Sequence, residues 1–396
     1  MMEVVNKNTS SYKIMTWLAA VFIYMLLHPY FVWRYVGLFN WIVLLPLYVL
    51  LLIQPQSSKN KKYLFLFVVL TLLASICNGQ NIIGIVFNIG IALVFLPKLE
   101  FMRDTYEHFR KIFVVIISIS IVSYILVLLG VSLPSSIIPP LNSLKEYNYE
   151  AYPFFVRSQK ITEYLRFSGP FDEAGALGTA SLIILVIERF DLKRFGNIAI
   201  LASGLLSLSL FFYVALVLYI LYLFFSEEIS KRGKWIIVIM LGLGAFFVWN
   251  NPVTNALIVE RIQWDEETES IAGDNRSRAN LDDYIDSIRG TSTYFFGLRD
   301  TKLRDSFNDS ASLNNAILRY GFVSIFFFFV FFFFFAKAYL GFGFRLMAFM
   351  AILFAILYNR PSFFEVSRLY MYVMCVYSFV NFSTHKSIKI AGGNKS

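Results

Sequence analysis

The chain has 396 residues, 58% of them hydrophobic, 18% aromatic and only 15% charged, with a formal net charge of +9. That composition lies well outside the soluble globular range. Lysines and arginines beside span ends, attracted to anionic inner-leaflet lipid, account for the basic balance, so it calls for no nucleic acid. Cys77 and Cys375 are the only cysteines and both fall in apolar runs, which argues against a disulfide framework or a thiolate metal site.

Apolar runs suited to crossing roughly 30 Å of hydrocarbon recur along the chain. They predict twelve spans, near 14–33, 38–53, 63–77, 81–97, 112–130, 174–189, 196–208, 210–225, 235–250, 314–335, 342–357 and 366–382. The expected fold is therefore an all-α polytopic membrane protein, with residues 1–396 forming one membrane domain. The first span lacks an obvious small-residue cleavage site and runs into HPYFVWRYVG, so it reads as a retained anchor. Residues 196–225 read either as two short spans or as one long tilted helix, and the serines and glycine of ASGLLSLSL (202–210) favour a break. The span from Asn314 to Phe335 is the least ambiguous, with ten phenylalanines between Phe322 and Phe335.

Basic residues set the orientation. With the amino terminus inside, the inner segments hold Lys7 and Lys13, KNKK (59–62), KLEFMRDTYEHFRK (98–111), RFDLKR (189–194), SEEISKRGK (226–234), Lys337, Arg345 and the tail lysines. The short outer loops are poor in basic residues, with Arg34 and Arg360 as exceptions. Both termini are thus expected in the cytoplasm, and two long segments, 131–173 and 251–313, are expected to face outward. Of the three histidines, His108 and His385 fall in expected cytoplasmic segments. A histidine-rich metal site has no support, and no metal or cofactor is expected.

The first outward segment contains Pro134, Pro139 and Pro140, which prevent a continuous helix. IIPPL is suited to a re-entrant dip, and Tyr147, Tyr149, Tyr152, Phe154 and Phe155 suit a position at the interface. Arg157, Lys160 and Arg166 follow, then Asp172 and Glu173 at the mouth of the next span. Each of these charges taken alone reads as a side chain snorkelling at the water boundary. Together they form a cluster beside SGPF and GALG, where glycine permits close backbone approach.

The second outward segment carries twelve acids and seven bases, a net of −5. NRSRANLDDYIDSI puts Leu281, Tyr284, Ile285 and Ile288 on one face of an amphipathic helix. Arg276 and Arg278 precede that helix, and Arg278 is spaced for an i,i+4 pair with Asp282. Asn314, Asn315 and Arg319 stand at the outer end of the phenylalanine-rich span. A charge at the depth of Arg319 needs a partner or a wet cavity, so a structural ion pair and a ligand contact stay equally open there.

Three stretches resemble the bacterial O-antigen polymerase and ligase superfamily, most closely a Wzy-type polymerase. They are RFSGPFDEAGALGTA (166–180), NRSRANLDDYIDSIRGTSTYFFGLRD (275–300) and SLNNAILRYGFVSI (312–325). Each is degenerate alone, and their order and spacing carry more weight. Ligases of this superfamily typically have a histidine where this chain has Asn314 and Asn315, which favours the polymerase. The resemblance implies transfer of a growing glycan from one undecaprenyl-pyrophosphate carrier to the sugar of another, on the outer face of the cytoplasmic membrane. Its implied partners are the lipid-linked donor and acceptor and the membrane, and it allows a chain-length regulator protein. Arginine can bind a pyrophosphate leaving group bidentately and stabilise its charge without a metal. Arg166, Arg278, Arg276 and Arg319 are the expected pyrophosphate or glycan ligands, with Arg157 and Lys160 beside them. Glu173 or Asp172 is the expected base, and Asn314 and Asn315 the expected hydrogen-bonding contacts.

A flippase for lipid-linked units is the main rival, having a similar span number and the same need for arginine. Transporters usually show internal repeats, and none is visible here. The few charges also sit at span ends, where a proton- or ion-coupled carrier would place them mid-membrane.

Overall fold

The computed structural model describes residues 10–33, 40–140, 147–159, 166–226, 279–307 and 312–380, with 235, 242, 250, 255, 263–265 and 270–271. These residues are mostly helical. In chain order they form α1 (Ser10–Met25), a π turn (Asn40–Leu44) leading into α2 (Leu45–Leu52), α3 (Lys61–Cys77), α4 (Ile82–Ile91) and α5 (Leu99–Leu128). Three strands follow, β1 (Ser136–Ile138), β2 (Tyr149–Tyr152) and β3 (Phe155–Ser158). Next come α6 (Ala174–Ile187), α7 (Phe195–Leu206), α8 (Leu210–Phe225) and the short pair β4 (Trp264–Asp265) and β5 (Ser270–Ile271). The chain continues through α9 (Ala279–Ile288), α10 (Ser292–Phe296), α11 (Thr301–Ser306), α12 (Leu313–Leu340), α13 (Phe344–Asn359) and α14 (Val366–Phe379).

A helix stands at every expected span except 235–250, which lies outside the described residues apart from three isolated positions. Among the described residues two helices, α5 and α12, are long and apolar enough to cross a membrane. Others are shorter: α7, with 12 residues, reaches about 18 Å, less than the hydrocarbon thickness of roughly 30 Å. Residues 196–225 are two helices. The chain reverses at Ser207–Ser209, where Leu208 has φ 45°, and α7 packs back on α8. Gly204 makes the hairpin close, because a Cβ there would lie 2.2 Å from the Phe212 ring.

At the centre are α6 and α14, which pack against each other. Every residue of α14 is buried, and so is nearly every residue of α6. The surrounding helices turn large apolar side chains outward, among them Phe65, Val69, Val122, Leu218, Phe326, Phe334 and Phe354. Such a surface is unusual for a monomer surrounded by water.

The first outward segment departs from the all-α expectation. It folds as an antiparallel sheet in the order β1-β2-β3, with Glu150 opposite Arg157. Three of its aromatics, Tyr149, Tyr152 and Phe155, are packed inside the protein, while Phe154 is exposed and Tyr147 half-buried. Tyr149 and Phe155 are buried, Tyr149 meets Trp33 edge-on at 5.4 Å between centroids, and Phe155 meets Tyr124. Closely spaced aromatic and β-branched residues favour strands where prolines have stopped a helix.

The loops sort onto two ends. At one end Tyr30 N–H donates to the Pro170 carbonyl at 2.7 Å, and Phe167 N–H donates to Leu206. There too Arg304 Nη1 donates to the Asn78 carbonyl at 3.1 Å, and Arg360 pairs with Glu173. At the other end Tyr12 donates to Asp104 at 2.9 Å, Gln56 bridges Pro97, and Arg194 pairs with Glu107 and Glu188. The described segments expected to face outward meet at the first end, and those expected inside meet at the second.

Candidate functional site

Both central helices begin at the first end, and each is capped by a glutamate. Glu173 precedes α6 and Glu365 precedes α14, both in extended backbone, and neither carboxylate hydrogen-bonds its own helix terminus. The helices run parallel, since Cys375 Sγ approaches the Ile183 carbonyl at 4.0 Å, each residue standing ten beyond its cap. Two positive helix ends therefore converge here.

Between them lies Arg360, at the C-terminal cap of α13. Its guanidinium donates to Glu173 Oε2 and rests against Gly175, where a Cβ would lie 3.4 Å from Nη2. Burial on its own would lower the Arg360 pKa, but the carboxylates of Glu173, Asp172 and Glu365 outweigh it and raise the pKa, holding the charge firmly. Its Nε is nonetheless buried with no hydrogen-bond partner among the described residues.

Arg368 lies within the first turn of α14 and is only 8% exposed. Its Nη1 also has no hydrogen-bond partner among the described residues. Glu365, Tyr372 and Arg360 are the groups close enough to act on it electrostatically. Leaving a buried donor unpaired costs about 1–3 kcal/mol, and more when it is charged. Two such guanidinium groups beside two helix N-termini form a place where an anion would satisfy what the protein leaves open. Among the described residues, no group of three or more His, Cys, Asp or Glu is placed to hold a metal ion.

The expected site residues distribute unevenly around this centre. Glu173 is in it, and Asp172 borders it with its carbonyl accepting from the Tyr149 hydroxyl. Arg166 reaches the α7–α8 turn, its Nε 3.4 Å from the Ser207 carbonyl. That turn packs against Gly178, one helical turn along α6 from the Arg360 contact at Gly175. Arg157 lies apart in β3, buried near Tyr124 and Tyr152 and opposite Glu150.

Asn314 and Asn315 are engaged by the protein. Asn314 Nδ2 donates to Asp282 at 2.6 Å, which ties α9 to α12. Asn315 Nδ2 donates to the Phe307 carbonyl at 2.9 Å. Arg319 is half-buried beside Tyr320, immediately before a break at Gly321. Lys160, Arg276 and Arg278 lie outside the described residues.

Arg360, Glu365 and Arg368 were not expected as site residues. A signal pointed to each of the arginines, and none to Glu365. Arg360 breaks the shortage of basic residues in the short outer loops, and Arg368 is a cation in the first turn of an apolar span, where a charge needs a partner or a wet site.

Scans against protein-family models, curated proteins and solved structures find no match to this chain.

Proposed function

We propose that this protein is a multi-pass protein of the bacterial cytoplasmic membrane that polymerises undecaprenyl-pyrophosphate-linked oligosaccharide repeat units on the outer face. It transfers the growing glycan from one carrier to the sugar of the next, as a Wzy-type polymerase does in O-antigen or capsule synthesis. The observation that carries this reading is the pair formed by the half-buried Arg360 and the buried Arg368, each with a buried guanidinium nitrogen that has no hydrogen-bond partner among the described residues, at the N-termini of two central helices.

A lipid pyrophosphate fits that arrangement chemically. It is a strongly anionic leaving group, and its charge grows as the glycosidic bond breaks. Fixed guanidinium groups and helix termini stabilise that growing charge more than they stabilise the ground state. The position suits a substrate tethered at the membrane surface, because the site lies at the end where the expected outward segments meet. Apolar side chains facing outward along the bundle suit a lipid surround.

Deleting the gene and running the surface polysaccharide on a gel tests the proposal. A product capped with a single repeat unit supports it. Loss of all surface polymer with lipid-linked units trapped inside means a flippase, and accumulated full-length lipid-linked chains mean a ligase.

A further inference from the structure

Glu365 differs from Glu173 in where its carboxylate goes. Glu173 is paired with Arg360, whereas Glu365 is exposed and lines a cavity of about 490 Å³. That volume lies within the range of small-molecule sites, roughly 300–1,000 Å³. The cavity runs from the loop after α1 to the groove between α2 and α4, and a second polar set faces Glu365 across it: His28, Gln80, Asn81 and Asn88.

These groups are fixed by the fold. His28 sits in the left-handed region at φ 55°, and its carbonyl accepts from Trp33 Nε1 at 2.9 Å. Ser367 Oγ donates to the Leu26 carbonyl, pinning this loop to the start of α14. Asn88 Nδ2 donates to Gln80 Oε1 at 2.8 Å and to Ser75 Oγ at 3.0 Å. That leaves the Asn88 carbonyl oxygen and the Gln80 amide N–H groups without protein partners among the described residues. Trp41 forms part of the wall, its indole edge-on to Phe87. Side-chain amides and a carboxylate beside an exposed aromatic ring make a surface suited to a sugar, whose hydroxyls both donate and accept while its C–H face meets the ring.

We infer that this cavity holds the acceptor sugar and that Glu365 is the base that takes the proton from the attacking hydroxyl. The inference rests on the polymerase reading above. Glu365 stands at the junction of two environments. On one side is the hydroxyl-binding cavity with His28. On the other are Arg360 and Arg368, both within electrostatic reach, with Tyr320 and Tyr372 beside them.

In the reaction, the acceptor oxygen bonds to the anomeric carbon of the donor as its proton moves to the Glu365 carboxylate. The bond from that carbon to the pyrophosphate oxygen breaks, and the electron pair leaves with the lipid pyrophosphate, whose charge Arg360 and Arg368 hold. Glu365 then returns the proton to water. A base between acceptor and leaving group acts in the same transition state as the arginines.

The test uses the full chain in detergent, with lipid-linked repeat unit extracted from the deletion strain as both donor and acceptor. Polymer formation is measured against substrate concentration. Glu365→Gln is expected to lower kcat about 100-fold or more with KM nearly unchanged, and Glu365→Asp to recover part of the loss. Asn88→Leu is expected to raise KM severalfold while sparing kcat. Should Glu365→Gln fail to fold, Glu365→Asp and Asn88→Leu still separate proton transfer from acceptor binding. A Glu365→Gln enzyme with wild-type kcat, or an Asn88→Leu enzyme with wild-type KM, overturns the inference and leaves the polymerase reading standing. If the wild-type chain makes no polymer and deletion leaves the surface ladder intact, the polymerase reading falls and takes this inference with it.

Discussion

Glu173 and Glu365 hold equivalent places at the caps of two parallel central helices, and both act on one guanidinium, that of Arg360. Their surroundings then divide them. Glu173 is committed to the ion pair, and Glu365 is left facing the cavity. Carboxylates at helix N-termini are ordinarily favourable in their own right. Here neither caps its helix through the side chain, and both carboxylates act on Arg360 instead.

Arg360→Ala and Arg368→Ala are each expected to reduce polymer formation by about 100-fold or more, the usual cost of removing one fixed donor from a developing negative charge. Arg368→Lys should recover little, because an ammonium cannot reproduce a planar two-pronged contact. The check is ladder length on a gel from a complemented deletion strain, with membrane protein levels matched. Wild-type ladders from Arg368→Ala would remove the arginine pair from the site.

How far the sequence revealed this arrangement depends on the kind of signal involved. Helix positions were legible because a run of apolar residues is a local property, and even the break at 207–209 was marked by its serines. The small sheet was not, since Tyr149 and Phe155 are as suited to an interface as to a strand until Trp33 and Tyr124 are known to cover them. Of the site, Glu173 was legible from its position beside a glycine-rich helix start. Arg360 and Arg368 were visible as exceptions to charge rules, but their convergence with Glu173 joins positions 187 and more residues apart in the chain. Only tertiary packing brings such positions together.

Gly321 carries a local prediction. It interrupts α12 with φ 75°, ψ 149°, and Leu298 N–H fills the gap by donating to the Leu318 carbonyl at 2.7 Å. A Cβ at Gly321 would lie 2.4 Å from the Phe295 carbonyl oxygen. Gly321→Ala should therefore displace α10 and destabilise the protein by about 1–3 kcal/mol through backbone strain, before any clash is counted. A melting temperature in detergent equal to wild type would show that the α10 packing is dispensable.

The far end of the bundle is held by a buried network. Arg110 Nε lies 3.1 Å from Glu188, and Arg194 Nη1 lies 2.6 Å from the same oxygen. Asn197, fully buried, accepts from Arg110 Nη2 at 2.7 Å and ties α7 to α5. Removing one member of a buried pair strands the other, at about 3–5 kcal/mol. Glu188→Ala should lower thermal stability by that order while leaving KM for the lipid-linked unit unaltered, because the network lies at the opposite end from Arg360. A large rise in KM with unchanged stability would contradict a purely structural role.

The two-ended sorting of loops makes sidedness a direct test of the membrane reading. Cys77 and Cys375 are buried, so they are expected to resist a membrane-impermeant thiol reagent and can remain in place. Ser135 is exposed in the first outward segment, and Lys193 is exposed between α6 and α7. The charge bias assigns these two positions to opposite faces. In intact cells, or spheroplasts where an outer envelope blocks the reagent, Ser135→Cys should label at once. Lys193→Cys should label only after the membrane is permeabilised. Reversal of the two would invert the topology and put Arg360, Arg368 and Glu365 in the cytoplasm, away from an acceptor on the outer face. Equal labelling of both in intact cells would remove the membrane from the reading altogether, since no bilayer would then separate the two ends.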